Sequence, residues 1–243
     1  MTRILQLFEK VLDFLFPPTC PLCGVRVEQH GELCINCFSS FNWIDGPKCV
    51  HCGYPFPAGF EPGPARLCVM CAVGGCQLDI IRSACVYDDA SRAAMLPFKH
   101  CGKIGYGRFM SQMMIWALSD TDIQPDVIMP VPLATRRLRH RSYNQATILA
   151  RPIARVYGLP LDVDSVRREF RPDMGHKTPQ QRRENIHNVF NVVKPDKIRG
   201  KKILLVDDVM TSGATFMEMH RVLMNAGAKA VYGVSFCRVA RAL

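Results

Sequence analysis

Apolar runs and helix-period segments alternate along the chain from residue 80 onward. Four runs consist mainly of apolar and β-branched residues, and they lie at residues 80–87, 126–132, 203–209 and 231–237. Between them, apolar positions recur at helical spacing in residues 105–118, 144–157 and 214–226. Strands that alternate with helices predict a doubly wound α/β fold, whose parallel sheet is covered on both faces. Ligands of such sheets bind at the carboxyl ends of the strands.

The first residues follow a different pattern. Residues 1–16 read MTRILQLFEKVLDFLF, and their helical spacing of apolar positions predicts an amphipathic helix over residues 1–18. Glu9, Lys10 and Asp13 interrupt the apolar run and no small-residue cleavage site follows, so the segment does not fit a signal peptide. No run reaches the roughly 18–20 apolar residues that a membrane span needs. We therefore expect a cytoplasmic protein, whose first helix packs onto its own body rather than onto a membrane surface.

The cysteines divide the chain into two regions. Ten of the twelve lie before position 86, which separates a cysteine-rich module over residues 19–75 from a globular domain over residues 80–243. Eight of them form four CxxC pairs, namely Cys20 and Cys23, Cys34 and Cys37, Cys49 and Cys52, Cys68 and Cys71. Two such pairs supply the four thiolates that structural zinc prefers, so these eight residues predict two structural zinc ions. Cytoplasmic thiols stay reduced, which favours metal binding over disulfides.

The four pairs can be combined in two ways. Sequential pairing makes two small zinc ribbons, and we favour it because each loop is short enough to close locally. An interleaved cross-brace would use the same residues, and the sequence does not exclude it. Gly24 and Gly53 directly follow the second cysteine of a pair, where a knuckle turn often requires positive φ. His51, which stands inside the third pair, is not expected to be a ligand.

The strongest functional signal is the run from Ile203 to Thr215, ILLVDDVMTSGAT. Its first four residues are apolar, as in a parallel strand that is buried on both faces. Asp207 and Asp208 follow where the strand emerges, and small and hydroxyl residues then open a helix. A helix N-terminus offers free backbone N–H groups to an anion, and small residues let a phosphate approach. The run therefore predicts a ribose-phosphate site, at which the two carboxylates accept hydrogen bonds from sugar hydroxyls.

This run resembles the phosphoribosyl-pyrophosphate (PRPP) signature of type I phosphoribosyltransferases, which is a hydrophobic strand, two acidic residues and a phosphate loop rich in Thr, Ser and Gly. The resemblance implies a type I phosphoribosyltransferase-like sheet behind the cysteine-rich module, and it implies PRPP bound together with magnesium. The implied PRPP-binding residues are Asp207, Asp208, Thr211, Ser212, Gly213, Ala214 and Thr215.

A second segment narrows the resemblance. Residues 130–133 read PVPL, an arginine-rich stretch follows, and residues 143–146 read YNQA. This order is similar to a segment of the ComF family of competence-associated proteins, which also carries N-terminal CxxC pairs. The resemblance extends from residue 14 to the last residue. It implies that pyrophosphate or another anion is bound by Lys99, Arg136, Arg137 and Arg141.

Charge and resemblance together lead to the functional expectation. Lys and Arg number 31 against 21 Asp and Glu, a net charge of +10, which favours anionic partners such as phosphates or nucleic acid. The ComF resemblance implies a role in DNA uptake during natural transformation, in which the chain handles single-stranded DNA with the uptake machinery and binds PRPP as a ligand. The alternative is an active phosphoribosyltransferase of nucleotide salvage, which transfers ribose 5-phosphate from PRPP to a nucleobase. No residue is assigned a catalytic role.

Aromatic residues of the cysteine-rich module fit two interpretations. They are Phe38, Phe41, Trp43 and Tyr54. Single strands bind through cationic grooves and stacked aromatics, so these rings could contact bases. They could equally form a miniature core, and the sequence leaves both interpretations open.

Overall fold

Helices and strands alternate through the part of the chain that the computed structural model describes, residues 16–240 except 58, 61–62, 64, 135–137, 139–142 and 170–186. The helices are α1 (Ile35–Ser39), α2 (Val69–Ala72), α3 (Asp89–His100), α4 (Tyr106–Leu118), α5 (Gln145–Tyr157) and α6 (Ala214–Asn225). The strands are β1 (Ile81–Val86), β2 (Val127–Pro130), β3 (Val166–Arg168), β4 (Phe190–Val192), β5 (Lys202–Met210) and β6 (Ala230–Arg238). Most of the helix predicted over residues 1–18 lies outside the described residues.

Four parallel strands form the central sheet, in the order β1-β6-β5-β2. β5 lies between β6 and β2, and its Ile203 is aligned with Val231 on one side and Val127 on the other. Because all four strands are parallel, their carboxyl ends lie at one edge of the sheet. The predicted doubly wound α/β fold is confirmed, and this edge is where its ligand site is expected.

Both faces of the sheet are covered because alternate residues of a strand point to opposite sides. On one face, Leu204 and Val206 of β5 pack in a core with residues of α4 and α5. On the other face, Ile203 and Leu205 pack in a second core with residues of α6, β3 and β4. The four consecutive apolar residues of β5 are therefore shared between two cores.

Two features of the fold lie outside the predicted elements. α3 begins at a capping box in which the side chain of Asp88 accepts from the backbone of Ser91 and the Ser91 hydroxyl accepts from the backbone of Asp88. β3 and β4 form an antiparallel hairpin. Strands of three residues are too short for a periodic pattern to identify them. Among the described residues, no helix is long and apolar enough to cross a membrane.

The segment between the second and third CxxC pairs adds to the edge of the sheet. The backbone N–H of Ile44 donates to the carbonyl of Ala84 at 2.9 Å, and the N–H of Val86 donates to the carbonyl of Asn42 at 2.8 Å. Residues 42–44 therefore pair with β1. The cysteine-rich module is attached to the sheet by backbone hydrogen bonds as well as by side chains.

Aromatic rings of the same segment enter the core of the α/β domain. Phe41 is only 5% exposed and packs edge-on against Phe109 of α4 and Phe236 of β6. Trp43 stacks on Phe41 with ring centroids 4.8 Å apart, and Phe38 tilts against Trp43. These rings are packed against each other and against the sheet. Phe41 and Trp43 are therefore core residues rather than a base-stacking surface.

Candidate functional site

The phosphate loop, residues 211–215, connects β5 to α6. Gly213 has φ of +75° and is the residue before the helix begins at Ala214. A Cβ at this position would lie 3.0 Å from the Cε atom of Met210, so both backbone conformation and space favour glycine here. Because glycine has no side chain, the start of the helix has no side-chain cap. The first backbone N–H groups of α6 are thus available to an anion.

Two carboxylates lie beside this loop. Oδ1 of Asp207 accepts a hydrogen bond from the backbone N–H of Asp208 at 2.9 Å, and Nζ of Lys99 lies 3.1 Å from Oδ1 of Asp208. Burial, assisted by the negative charge of Asp208, raises the pKa of Asp207 from 3.8 to about 7. The pair therefore combines one carboxylate balanced by a lysine with one that titrates near neutral pH.

Lys99 is held beside Asp208 by the YNQA segment. The hydroxyl of Tyr143 donates to the carbonyl oxygen of Phe98, and Nε2 of Gln145 donates to the carbonyl oxygen of Lys99 at 3.3 Å. Asn144 donates to the carbonyl oxygen of Val131 at 3.1 Å. One motif thus binds the end of α3 to the end of β2. The sequence pattern gives no sign of these contacts, because the partners of YNQA lie 13 to 46 positions away.

The other predicted anion-binding residues fall in different places. Thr211 is exposed, whereas Ser212 and Thr215 are partly buried. Arg136, Arg137 and Arg141 lie outside the described residues. The structure therefore brings together Lys99, the two carboxylates and the phosphate loop.

The eight predicted zinc ligands form two clusters of four. One consists of Cys20, Cys23, Cys34 and Cys37, and the other of Cys49, Cys52, Cys68 and Cys71. Within each cluster the sulfur atoms all lie within 4.8 Å of one another, and the pairs Cys23–Cys34 and Cys52–Cys68 are 3.5 and 3.6 Å apart. Tetrahedral zinc with Zn–S bonds of about 2.3 Å requires S–S distances of about 3.8 Å. Both clusters fit zinc, and their grouping is sequential.

Both clusters use the same backbone turn. The N–H of Cys20 donates to the carbonyl of Val25, and the N–H of Gly24 donates back to the carbonyl of Cys20. Cys49 and Gly53 repeat these two bonds in the second cluster. As predicted, both glycines have positive φ, +78° and +66°. We call the residues 20–37 and 49–71 the first and second ribbons.

The end of the cysteine-rich module, just after the second ribbon, lies next to the phosphate loop. A cavity of about 330 Å³ is lined by Gly74 and Gly75 on one side and by Ser212, Glu218 and Arg221 on the other. The buried carboxylate of Glu218 accepts from Nε of Arg221 at 2.9 Å. Burial acts to raise the pKa of Glu218, but hydrogen bonds from Arg221 and from the backbone of Asn188, together with the charge of Arg221, outweigh it and the pKa is lowered. The zinc module therefore forms one wall beside the candidate site.

Two family models match the chain. One is described as a double zinc ribbon domain and matches residues 11–72. The other is described as a phosphoribosyl transferase domain and matches residues 111–242, more than half of the chain. The fold and the site thus define a phosphoribosyltransferase domain that follows a double zinc ribbon.

The chain aligns with curated relatives over different lengths. The chain is 32% identical to the DNA utilization protein YhgH of Escherichia coli O6:H1 over 233 residues, 91% of this chain and 97% of that protein. The same-named protein of Salmonella typhimurium is 32% identical over 133 residues, 54% of this chain and 58% of that protein. Competence protein F of Haemophilus influenzae is 24% identical over 216 residues, 86% of this chain and 90% of that protein. The chain belongs to the ComF family, as the sequence resemblance predicted.

Proposed function

We propose that the chain binds PRPP at the carboxyl end of β5 and acts in DNA uptake by handling single-stranded DNA in the cytoplasm. The observation that carries the first half is the phosphate loop, where Gly213 in the left-handed region opens α6 beside two carboxylates. Unpaired N–H groups at a helix start suit a phosphate, and carboxylates suit the hydroxyls of a ribose. A single ligand that carries both groups matches this arrangement.

Each predicted site residue has a role in this proposal. Residues Thr211–Thr215 bind the 5-phosphate, and Asp207 and Asp208 accept hydrogen bonds from the ribose hydroxyls. Lys99 and the arginines of residues 136–141 bind the pyrophosphate, because fixed cations stabilise its charge. Magnesium, which prefers oxygen ligands, accompanies the pyrophosphate and neutralises part of that charge. The share of the arginines rests on the sequence resemblance.

Calorimetric titration with PRPP and magnesium tests this site. Combining Asp207→Asn with Asp208→Asn removes two charged hydrogen-bond acceptors, each worth about 1.5–3 kcal/mol, so the affinity should fall by about a hundredfold or more. Asp196→Asn is the matched control, because Asp196 is an exposed carboxylate in the 3₁₀ turn Pro195–Lys197. The control should bind like the parent. No heat from the parent, or undiminished binding by the double variant, would contradict the proposal.

The same titration should depend on pH through Asp207. Because its pKa is raised to about 7, this carboxyl is largely protonated below that pH and accepts hydrogen bonds poorly. PRPP affinity should therefore increase as the pH rises through 7, and Asp207→Asn should lose most of that increase.

Folding stability should change with pH in the opposite direction. The stability that protonated Asp207 contributes is fully present below about pH 4 and is lost as the pH rises through 7. Asp207→Asn should thus melt at a higher temperature than the parent at pH 8, and an unchanged melting temperature would contradict this account.

The DNA half of the proposal is supported by charge and by the relatives' names. The net charge is +10, and the aligned relatives are named for DNA utilization and competence. Binding of a labelled single-stranded oligonucleotide, followed by fluorescence anisotropy, should weaken steeply with salt because counterions are released when cations meet phosphates. Absent or salt-independent binding would restrict the basic surface to small phosphates.

The second candidate is an active phosphoribosyltransferase that transfers ribose 5-phosphate to a nucleobase. The observation that favours it is that Lys99 is fixed by Asp208 beside the phosphate loop. Displacement at the ribose depends more on holding the pyrophosphate in place than on acid–base groups, and Lys99 is the residue that would hold it. PRPP consumption with a panel of nucleobases, with and without single-stranded DNA, separates the two candidates. Consumption that depends on a base supports the enzyme, whereas binding without consumption supports a ligand-binding role.

A further inference from the structure

Two buried arginines of the sheet donate hydrogen bonds to the turn of the second ribbon. Arg82 of β1 is 6% exposed, and its Nη1 donates to the carbonyl oxygens of Val50 at 3.1 Å and His51 at 3.4 Å. Arg238 of β6 is 5% exposed, and its Nη1 donates to the carbonyl oxygen of Cys52. Both arginines therefore contact the short turn that carries two of the four cysteines of the second cluster.

The charges of these two arginines are balanced differently. Nε of Arg82 lies 2.8 Å from Oδ1 of Asp120, which also pairs with Lys48 at 3.0 Å. Arg238 has no ion pair with any described carboxylate, and its buried Nε–H has no hydrogen-bond partner within the described residues. A buried charge without a counter-charge is costly. Its surroundings must therefore supply negative charge in another form.

A tetrathiolate zinc centre supplies that charge. The two positive charges of the metal and the four negative charges of its thiolates leave the centre doubly negative. Arg238 lies against the Cys52 carbonyl and over the ring of Tyr54, 5.0 Å from the ring centroid, so its guanidinium is beside this centre. Among the described residues, no arginine side chain donates to the turn of the first ribbon.

Arg238 is also connected to the phosphate loop. It is the register partner of Met210 at the end of β5, and the N–H of the next residue, Val239, donates to the carbonyl of Met210 at 2.9 Å. The side chain of Met210 in turn lies against Gly213. A continuous chain of contacts therefore runs from the turn of the second ribbon, through Arg238 and Met210, to the start of α6.

We infer that Arg82 and Arg238 are positioning residues that hold the turn of the second ribbon and offset the charge of its metal centre, Arg82 only in part because it is also paired with Asp120. Arg238 in addition couples the occupancy of this centre to the phosphate loop. Loss of zinc from this centre leaves Arg238 buried without a counter-charge, which shifts the end of β6 and with it Met210 and Gly213. The coupling is reciprocal in binding free energy, so a ligand on the phosphate loop also stabilises zinc at the second centre, and we expect that zinc to leave more slowly. This last step rests on the proposed function, whereas the charge role of the arginines does not.

Zinc release to a chromogenic chelator, followed in time, tests the charge role without any ligand. The parent should release zinc in two phases, and the phase that remains after Cys20→Ser with Cys23→Ser identifies the second centre. Arg238→Met should accelerate that phase at least tenfold. Arg238→Lys, which keeps the positive charge, should release zinc from the second centre at a rate close to that of the parent. Arg108→Met is the control, because Arg108 is exposed and packs beside Gly31 of the first ribbon. The control should leave the second-centre phase unchanged.

A second readout keeps the test independent of folding. With cobalt(II) in place of zinc, Arg238→Met and Arg82→Met should shift the thiolate-to-metal absorption band of the second centre, and Arg238→Lys should not. If Arg238→Met does not accumulate as folded protein, the charge role is tested with Arg82→Met and Arg238→Lys instead. A second-centre phase with the parent rate in Arg82→Met, together with an unshifted cobalt band, overturns the charge role.

The coupling step is tested by repeating the zinc release with saturating PRPP and magnesium. We expect the second-centre phase of the parent to slow and the first-centre phase to stay unchanged. If calorimetry shows that PRPP binds but the second-centre phase is unaffected, the coupling is wrong. If PRPP does not bind at all, the proposed function is wrong. The charge role of the arginines is still tested, because zinc release from the arginine variants is measured without any ligand.

Discussion

The two zinc ribbons have the same local structure and different surroundings. Both turns are closed by the same pair of backbone hydrogen bonds, and both end in a glycine of positive φ. A Cβ on Gly24 of the first ribbon would meet nothing within 4 Å, whereas a Cβ on Gly53 of the second would lie 2.8 Å from the carbonyl oxygen of Ile81. Cys23 is exposed, while Cys49 and Cys52 are buried. A repeated motif thus produces one turn whose glycine has open space around it and one whose glycine is pressed against β1.

The two ribbons are attached to the α/β domain in different ways. The first ribbon is joined to the domain by apolar packing, in which Leu22 and Leu33 lie against the core and Phe41 of the following segment enters it. The second ribbon is joined through its own metal turn, by buried Arg82 and Arg238. Removing the first metal should therefore disturb a local module. Removing the second should disturb the sheet.

The largest expected effect comes from the ligands themselves. Structural zinc contributes about 10–16 kcal/mol to the folding of zinc-finger peptides, so losing either centre should abolish its ribbon. Cys49→Ser with Cys52→Ser should also abolish cooperative thermal unfolding of the α/β domain, whereas Cys20→Ser with Cys23→Ser should retain it. Metal analysis and circular dichroism melts provide the measurements. Equal damage from both pairs would remove the distinction between the ribbons.

A smaller effect is expected from the ring that attaches the segment between the ribbons. Phe41→Ala creates a cavity between Phe109 and Phe236, and such substitutions cost about 3–5 kcal/mol. Phe38→Ala is the matched control, because Phe38 is 40% exposed and its loss should cost less than about 1 kcal/mol. Urea unfolding followed by tryptophan fluorescence measures both. Similar costs would show that Phe41 does not anchor the module.

The smallest effect compares the two glycines. Alanine in the left-handed region costs about 1–2 kcal/mol, so Gly24→Ala should destabilise the protein by that amount. Gly53→Ala should cost more, because its new methyl group also meets the carbonyl of Ile81. The free energies of unfolding from urea titration decide the order. Gly24→Ala as costly as Gly53→Ala would mean that contact with β1 does not distinguish the turns.

Much of the fold and of the candidate site could be predicted because the signals are local. The run Ile203–Val206 identifies a strand buried on two faces, and the small residues after Asp208 identify a helix start, without reference to any other part of the chain. Short loops also favoured the sequential grouping of the cysteines, although they left the interleaved grouping open until the structure was known. The hairpin of β3 and β4 could not be predicted, because three-residue strands carry too little pattern.

From the sequence we could predict the longer strands, three of the helices, the candidate phosphate loop and the eight cysteines of the two clusters, since backbone conformation and ligand spacing are properties of neighbouring residues. Only the tertiary structure decided that Lys99 pairs with Asp208 and that Arg82 and Arg238 contact the second ribbon. The bond from Arg238 to Cys52 joins residues 186 positions apart, and no local pattern distinguishes such an arginine from one on the surface. Burial and charge balance are set by what the fold places beside a residue, and for these contacts that information lies elsewhere in the chain.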